Sequence, residues 1–159
     1  MKRWIALLMS VICAVSLTAC GAAEGEEAPE KGFSASDLEK IVGVGAFSED
    51  LEELDADTAF MLYKLADYGL AREDLTEAAV LRSAGATCEE GAVLVFSDAE
   101  KAGVAAEALE DYLESQIATN VDYRPDEIPK LEGAILKVQG NTVLMTVAND
   151  AAAVRSVYE

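Results

Sequence analysis

The chain has 159 residues and is strongly acidic, with 30 Asp and Glu residues against 12 Lys and Arg residues and a formal net charge of −18. Nucleic-acid binding is disfavoured, because neutralising phosphate groups requires clustered basic residues. Histidine is absent, which excludes Ser-His-Asp and Cys-His catalysis and histidine ligands to metals.

Residues 1–19 are predicted to be a lipoprotein signal peptide. Lys2 and Arg3 precede an uncharged, mostly apolar run over residues 4–17. This run is shorter than the roughly 20 residues that a membrane-spanning helix needs, so it is typical of a secretory signal. Its end, Leu17-Thr18-Ala19-Cys20, resembles the lipobox of bacterial lipoproteins. The alternative is an ordinary signal peptide in which Cys20 has no role.

The lipobox resemblance implies that Cys20 receives a thioether-linked diacylglycerol and becomes the first residue of the mature chain. Two acyl chains give stable membrane anchoring, whereas one gives only marginal binding. Residues 20–33 are rich in Ala, Gly and Glu and predict a flexible acidic tether after the lipidated cysteine. We therefore expect the protein on the extracytoplasmic face of the cell membrane, with the membrane as a partner through the lipid on Cys20.

Residues 34–159 are predicted to form a single domain that begins with helices. Ser36-Asp37-Leu38-Glu39 has the pattern of a capping box and predicts a short helix that ends near Gly43. Residues 48–54 suggest an acidic helical turn. A longer helix is predicted over residues 57–67, with Gly69 as its left-handed stop.

Two ββα units are predicted to follow. Apolar runs over residues 79–83 and 92–96 predict a hairpin with a long connection, and residues 98–118 predict the longest helix. Gly103 within that helix suggests a close approach to the sheet. Gly140-Asn141 predicts the second turn, which pairs Val138 with Val143, Leu136 with Met145 and Ala134 with Val147. Asn149 or Asp150 is predicted to cap a last short helix.

These elements predict an α+β fold with two layers. One face of the second hairpin is apolar and the other is mixed, so we expect a four-stranded, mainly antiparallel sheet with the helices on one face.

Neither a metal site nor a cofactor is predicted. Cys13 leaves with the signal peptide and Cys20 is acylated, so Cys88 alone can form neither an intramolecular disulfide nor a Cys-rich zinc site. The acidic run around Asp55 and Asp57 matches only the first two positions of a calcium-binding loop. We expect it to be a solvated helix face with caps.

Three short motifs together resemble a known family. They are Tyr68-Gly69-Leu70, Cys88-Glu89-Glu90-Gly91-Ala92-Val93, and Tyr123-x-Pro125-x-Glu127-x-x-Lys130-Leu131. Their order is similar to that in the small lipoproteins and secreted proteins of clostridia-type bacteria grouped as domain of unknown function number four-three-five-eight. The family's usual lead into its second strand is Ala-Asp-Glu-hydrophobic, so Glu90 matches and Gly91 departs. The resemblance implies a lipoprotein of a Gram-positive type envelope but no particular chemistry.

The most plausible interaction patch is the connection that contains Tyr123, Pro125, Glu127 and Lys130, because a proline-bounded loop presents side chains rigidly. Glu90 is included with it, and no catalytic residue is predicted. We expect a non-catalytic module that binds an envelope protein or a wall component, or supports an envelope complex. The alternative is a histidine-free hydrolase of cell-wall glycans that uses paired carboxylates.

Replacing Cys20 tests the anchor. We expect Cys20→Ser to leave the precursor unlipidated, because the sulfur atom is the nucleophile that takes the lipid. Membrane fractionation after a high-salt wash measures the result. A Cys20→Ser protein that is still processed and still sediments with the membrane would contradict the assignment.

Overall fold

The computed structural model describes residues 32–158, so the predicted signal peptide, Cys20 and most of the predicted tether lie outside the described residues. The strands are β1 (Glu52–Leu54), β2 (Leu75–Arg82), β3 (Glu90–Phe96), β4 (Ile135–Gln139) and β5 (Thr142–Val147). The α-helices are α1 (Ala35–Gly43), α2 (Ala56–Leu62), α3 (Ala99–Asn120), α4 (Ile128–Glu132) and α5 (Ala151–Arg155). Short 3-10 segments lie at Leu65–Tyr68, Arg72–Asp74 and Pro125–Glu127. From residue 32 to residue 158, no helix combines the length and the apolar character needed to cross a membrane.

The strands form one antiparallel sheet in the order β1-β2-β3-β5-β4, which confirms the α+β class. The sheet has five strands rather than the predicted four. The additional strand is β1, whose residues pair with Val80–Arg82 at the end of β2. The prediction of a helical turn over residues 48–54 is therefore wrong at Glu52–Leu54. A strand of three residues is too short to show an alternating pattern in the sequence, and its hydrogen bonds to β2 determine its conformation.

The second hairpin has the predicted register. Val138 pairs with Val143 and Leu136 pairs with Met145, and Gly140 adopts a φ of 57° at the turn. A left-handed residue at this position is what a two-residue hairpin turn requires. The pairing of β4 with β5 ends at Ile135 and Thr146, so the predicted pair of Ala134 with Val147 lies just beyond the ladder.

Helices cover both faces of the sheet. On one face, α2 and α3 bury a large cluster that includes Val80, Leu94 and Met145. On the other face, α1 and α5 bury a second cluster that includes Val93 and Leu144. The prediction of helices on one face is therefore wrong. Apolar side chains alternate with polar ones on the mixed face, and α1 and α5 bury the apolar ones.

Helix ends follow local capping chemistry. Asp98 accepts a hydrogen bond from the backbone N–H of Lys101, and Asp150 accepts from Ala152 and Ala153. The first helix is capped by Ser34 rather than by Ser36, in a capping box completed by Asp37.

The second helix is shorter than predicted. Asp55 caps it, and it ends at Leu62 before the positive φ of Lys64. Gly69, at a φ of 81°, ends the 3-10 segment that follows.

The described chain starts and ends at one end of the sheet. The backbone N–H of Phe33 donates to Thr142 Oγ1 at 2.8 Å, and the ring of Phe33 meets the ring of Tyr158 edge-on at 5.7 Å. Thr142 is the first residue of β5, beside Val95 near the end of β3. Any segment that precedes Phe33 therefore joins the domain at this end.

A matched pair of glycine substitutions tests the packing of α1 on the sheet. A Cβ atom on Gly91 would lie 2.6 Å from Leu38 Cδ1 and 3.1 Å from Phe47 Cζ. We expect Gly91→Ala to lower the free energy of unfolding by about 1 to 2 kcal/mol, because buried side chains must leave their packed positions. Urea denaturation measures the change.

The control is Gly103→Ala in α3. A Cβ atom there meets no heavy atom within 4 Å, so the predicted close approach of Gly103 to the sheet is wrong. Alanine should stabilise the protein by up to about 1 kcal/mol, because it favours the helix. Equal destabilisation by both substitutions would contradict this account of the packing.

Candidate functional site: a polar cavity at one end of the sheet

Two consecutive glutamates are buried at the start of the central strand. Glu89 is 0% exposed and Glu90 is 3% exposed. Successive residues of an extended chain point to opposite faces of a sheet. The two carboxylates therefore lie against different helical layers and have separate sets of partners.

Glu89 is held from the α1 side of the sheet. The backbone N–H of Ser48 donates to one carboxylate oxygen at 2.7 Å, and the hydroxyl of Ser48 donates to the other at 2.5 Å. Lys130 Nζ lies 2.8 Å from Glu89 and 3.0 Å from Glu127. Glu127 in turn accepts the backbone N–H of Cys88 at 2.9 Å. This network joins the segment after α1, the lead into β3, and α4.

Glu90 is held from the α2 and α3 side. The hydroxyls of Tyr63 and Tyr112 donate to its carboxylate at 2.5 Å and 2.7 Å, and Arg82 Nε donates at 3.1 Å. Burial raises the pKa of Glu90 above its ordinary value, although the tyrosine and arginine donors oppose the change. Burial and the neighbouring carboxylate also raise the pKa of Tyr63 and the pKa of Tyr112, so both hydroxyls remain protonated donors.

A cavity of about 490 Å³ opens beside these glutamates. It lies between the end of β2, the loop before β3 and the last turns of α3. The groups that line it are mostly polar, and they include Arg82, Cys88, Glu90, Gln116, Asn120 and Arg124. Its volume is within the roughly 300–1,000 Å³ of small-molecule sites.

The thiol of Cys88 is half-buried at this cavity. Burial raises its pKa, and the nearby guanidinium of Arg124 opposes that change only in part. A thiol that stays protonated is a poor nucleophile. The environment of Cys88 therefore favours a role as part of the cavity wall over a role as a reactive thiol.

The structure brings together only part of the predicted interaction patch. Glu127 and Lys130 are in contact, but Glu90 points to the other face of the sheet and has different partners. Tyr123 is 87% exposed, and Pro125 is exposed at the start of a 3-10 turn. Tyr123 and Pro125 flank Arg124, which lines the cavity.

Sequence reasoning missed Glu89, Arg82 and Arg124. Glu89 had a readable signal, since two adjacent acids directly before a buried apolar strand must each find a partner on a different face. The two arginines had no such signal. Arg82 and Arg124 are far apart in the chain, and only the packing of α3 against the sheet places both at one cavity.

The acidic run near α2 is used for local contacts. Asp55 caps the helix, and Asp57 pairs with Arg72 at 2.6 Å. Among residues 32–158, no group of three or more His, Cys, Asp or Glu side chains is arranged to hold a metal ion.

Comparison with known proteins assigns the family. Residues 48–148 match the family described as Domain of unknown function (DUF4358). The chain belongs to this family. No curated protein and no solved structure matches the chain. The matched span of the DUF4358 domain contains Ser48, both buried glutamates and both cavity arginines, whereas α1 and α5 lie outside it.

Removing the lysine tests the Glu89 network. We expect Lys130→Met to lower the free energy of unfolding of this DUF4358 domain by about 3 kcal/mol, because it leaves a buried carboxylate without its cation. Urea denaturation of Lys130→Met, of Glu89→Gln and of the double variant Glu89→Gln/Lys130→Met measures the coupling. The double variant should lose less than the sum of the two single variants, and strict additivity would contradict a direct interaction.

The pH dependence of stability tests Glu90. The pKa of Glu90 is higher in the folded protein than in the unfolded chain, so the folded protein keeps the proton on this carboxyl group to a higher pH. The free energy of unfolding therefore falls as the pH rises from the ordinary pKa of a glutamate through the raised pKa of Glu90. Glu90→Gln removes that loss. We expect the free energy of unfolding of the variant, minus that of the wild type, to increase between about pH 4 and about pH 7. Glu100→Gln on α3 controls for the charge change, and a flat or decreasing difference for Glu90→Gln would contradict the assignment.

Proposed function

We propose that this protein is a lipid-anchored extracytoplasmic lipoprotein of a bacterial cell envelope that acts as a non-catalytic binding module. The lipid on Cys20 holds it on the membrane, and the cavity beside Glu90 is its binding site. The lipobox and the short apolar run support the anchor. The relative positions of the chain entry and the cavity support the binding role.

The cavity and the chain entry lie at opposite ends of the sheet, and this observation carries the proposal. The backbone N–H of Phe33 forms a hydrogen bond with Thr142, which pairs with Val95 near the end of β3. The cavity lies beside Glu90, at the start of β3. The five residue steps between Glu90 and Val95 span about 17 Å at roughly 3.4 Å per residue. A lipid tether that joins at Phe33 attaches the domain at the end opposite the cavity, which keeps the cavity accessible to envelope components.

The alternative of a carboxylate-dependent hydrolase of cell-wall glycans receives less support from the geometry. General acid–base catalysis needs a carboxyl group that is free to exchange a proton with the substrate. Glu89 already accepts from Ser48 N–H, Ser48 Oγ and Lys130, and Glu90 accepts from two tyrosines and Arg82. Both buried carboxylates are thus engaged in structural contacts.

Site-specific photo-crosslinking in native membranes tests the proposal. The full-length protein would contain a photo-crosslinking residue either at Ala84, which is exposed at the cavity, or at Lys137, which is exposed near the chain entry. We expect Ala84 to capture a wall or envelope component and Lys137 to capture phospholipid. Adducts at Ala84 should decrease when Arg124→Met is added to the same protein.

Two results would contradict the proposal. Predominant phospholipid adducts at Ala84 would show that the cavity faces the bilayer. Release of soluble sugar fragments from purified cell wall, abolished by Glu90→Gln, would favour the hydrolase instead.

A further inference from the structure

The cavity contains strong hydrogen-bond donors that the protein itself does not fully use. Arg124 donates one N–H to the carbonyl of Thr87 at 3.0 Å, and no carboxylate lies within 4.0 Å of it in the part of the chain from 32 to 158. A guanidinium has five N–H donors in a planar fork. Arg82 donates Nε to Glu90, and its side chain is still 38% exposed. Two partly engaged guanidinium groups therefore line one cavity.

Acceptor groups line the same cavity. Glu52, opposite Arg82 in the β1–β2 ladder, is exposed at its edge, and Glu90 forms part of its wall. Gln116 and Asn120 add amides from the last turns of α3. An ionised carboxylate only accepts hydrogen bonds, a guanidinium only donates, and an amide does both.

We infer that the cavity binds a neutral, polyhydroxylated ligand, that is, the sugar ring of an uncharged oligosaccharide; this inference rests on the binding role proposed above. An anion bound beside Arg82 and Arg124 also meets Glu52 and Glu90, and a cation bound beside the glutamates meets both arginines. A hydroxyl group donates to an exposed carboxylate such as Glu52 and accepts from a guanidinium, so a ring with several hydroxyls satisfies Glu52 and the two arginines without adding a charge. Glu90 is already held by its own donors and contributes its charge to the cavity wall.

Tyr123 directly precedes the cavity residue Arg124 in the chain but does not itself line the cavity. It is 87% exposed, and its backbone N–H donates to the carbonyl of Asn120. In the proposed complex, this exposed ring would offer a flat surface to the part of a sugar that extends out of the cavity.

Direct binding measurements on the full-length protein in detergent micelles test the ligand class. The neutral probes are the tetramer of N-acetylglucosamine and cellotetraose. The charged probes are the glucosamine tetramer, which is the cationic counterpart of the first, and trigalacturonate, which is anionic. We expect the neutral probes to bind more tightly than either charged probe in isothermal titration calorimetry.

Variants assign the binding to the cavity. Arg124→Met and Gln116→Ala should each weaken neutral-probe binding, the arginine by about 10- to 100-fold, because it removes hydrogen bonds from a charged donor. Arg155→Met, at an exposed arginine of α5 outside the cavity, should bind like the wild type. Thermal melts check that each variant is folded, and Gln116→Ala serves if Arg124→Met does not fold.

The outcomes separate the ligand class from the binding role. Tighter binding of a charged probe that is lost in the cavity variants overturns the neutral-ligand inference but leaves the binding role standing. Binding of no probe also overturns the ligand class. Neutral-probe binding that survives both cavity variants overturns the site. Cleavage of a neutral probe into shorter fragments overturns the non-catalytic role.

Discussion

The structure depends on two adjacent buried carboxylates that are held from opposite sides of the sheet. An isolated charge in the interior costs several kcal/mol, so each glutamate must be surrounded by donors. Glu89 accepts hydrogen bonds from Ser48 and Lys130 on the α1 side of the sheet. Glu90 accepts hydrogen bonds from Tyr63 and Tyr112 on the α2 and α3 side. The start of β3 thereby ties both helical layers to the central strand.

This arrangement also determines the pairing of the strands. A shift of one residue along β3 would exchange the faces of the two glutamates and of every apolar residue after them. Val93 would leave the cluster under α1, and Leu94 would leave the cluster under α3. The polar contacts at one end of the strand and the apolar contacts along it therefore favour the same register.

The two ends of the sheet consequently differ in chemistry. At the Thr142 end, the sheet meets the entering chain and the aromatic pair of Phe33 and Tyr158. At the Glu90 end, the polar network continues into an open cavity with arginine, amide and carboxylate groups. The wall of this cavity combines the ends of strands and the last turns of α3 with the loop before β3 and the turn that carries Arg124. The proposed anchor and the proposed ligand thus act at opposite ends of one rigid domain.

The amino-acid sequence by itself determined the features that depend on near neighbours. The turn at Gly140-Asn141 follows from local backbone preferences and places the second hairpin correctly, and the helical pattern of residues 98–118 indicates the long helix. The order of three motifs was enough to indicate the family. Only the tertiary structure decided that β1 joins the sheet, that α1 and α5 cover its second face, and that Arg82 and Arg124 meet at one cavity. These features depend on contacts between segments far apart in the chain, such as Ser48 with Glu89, and no local pattern encodes such contacts.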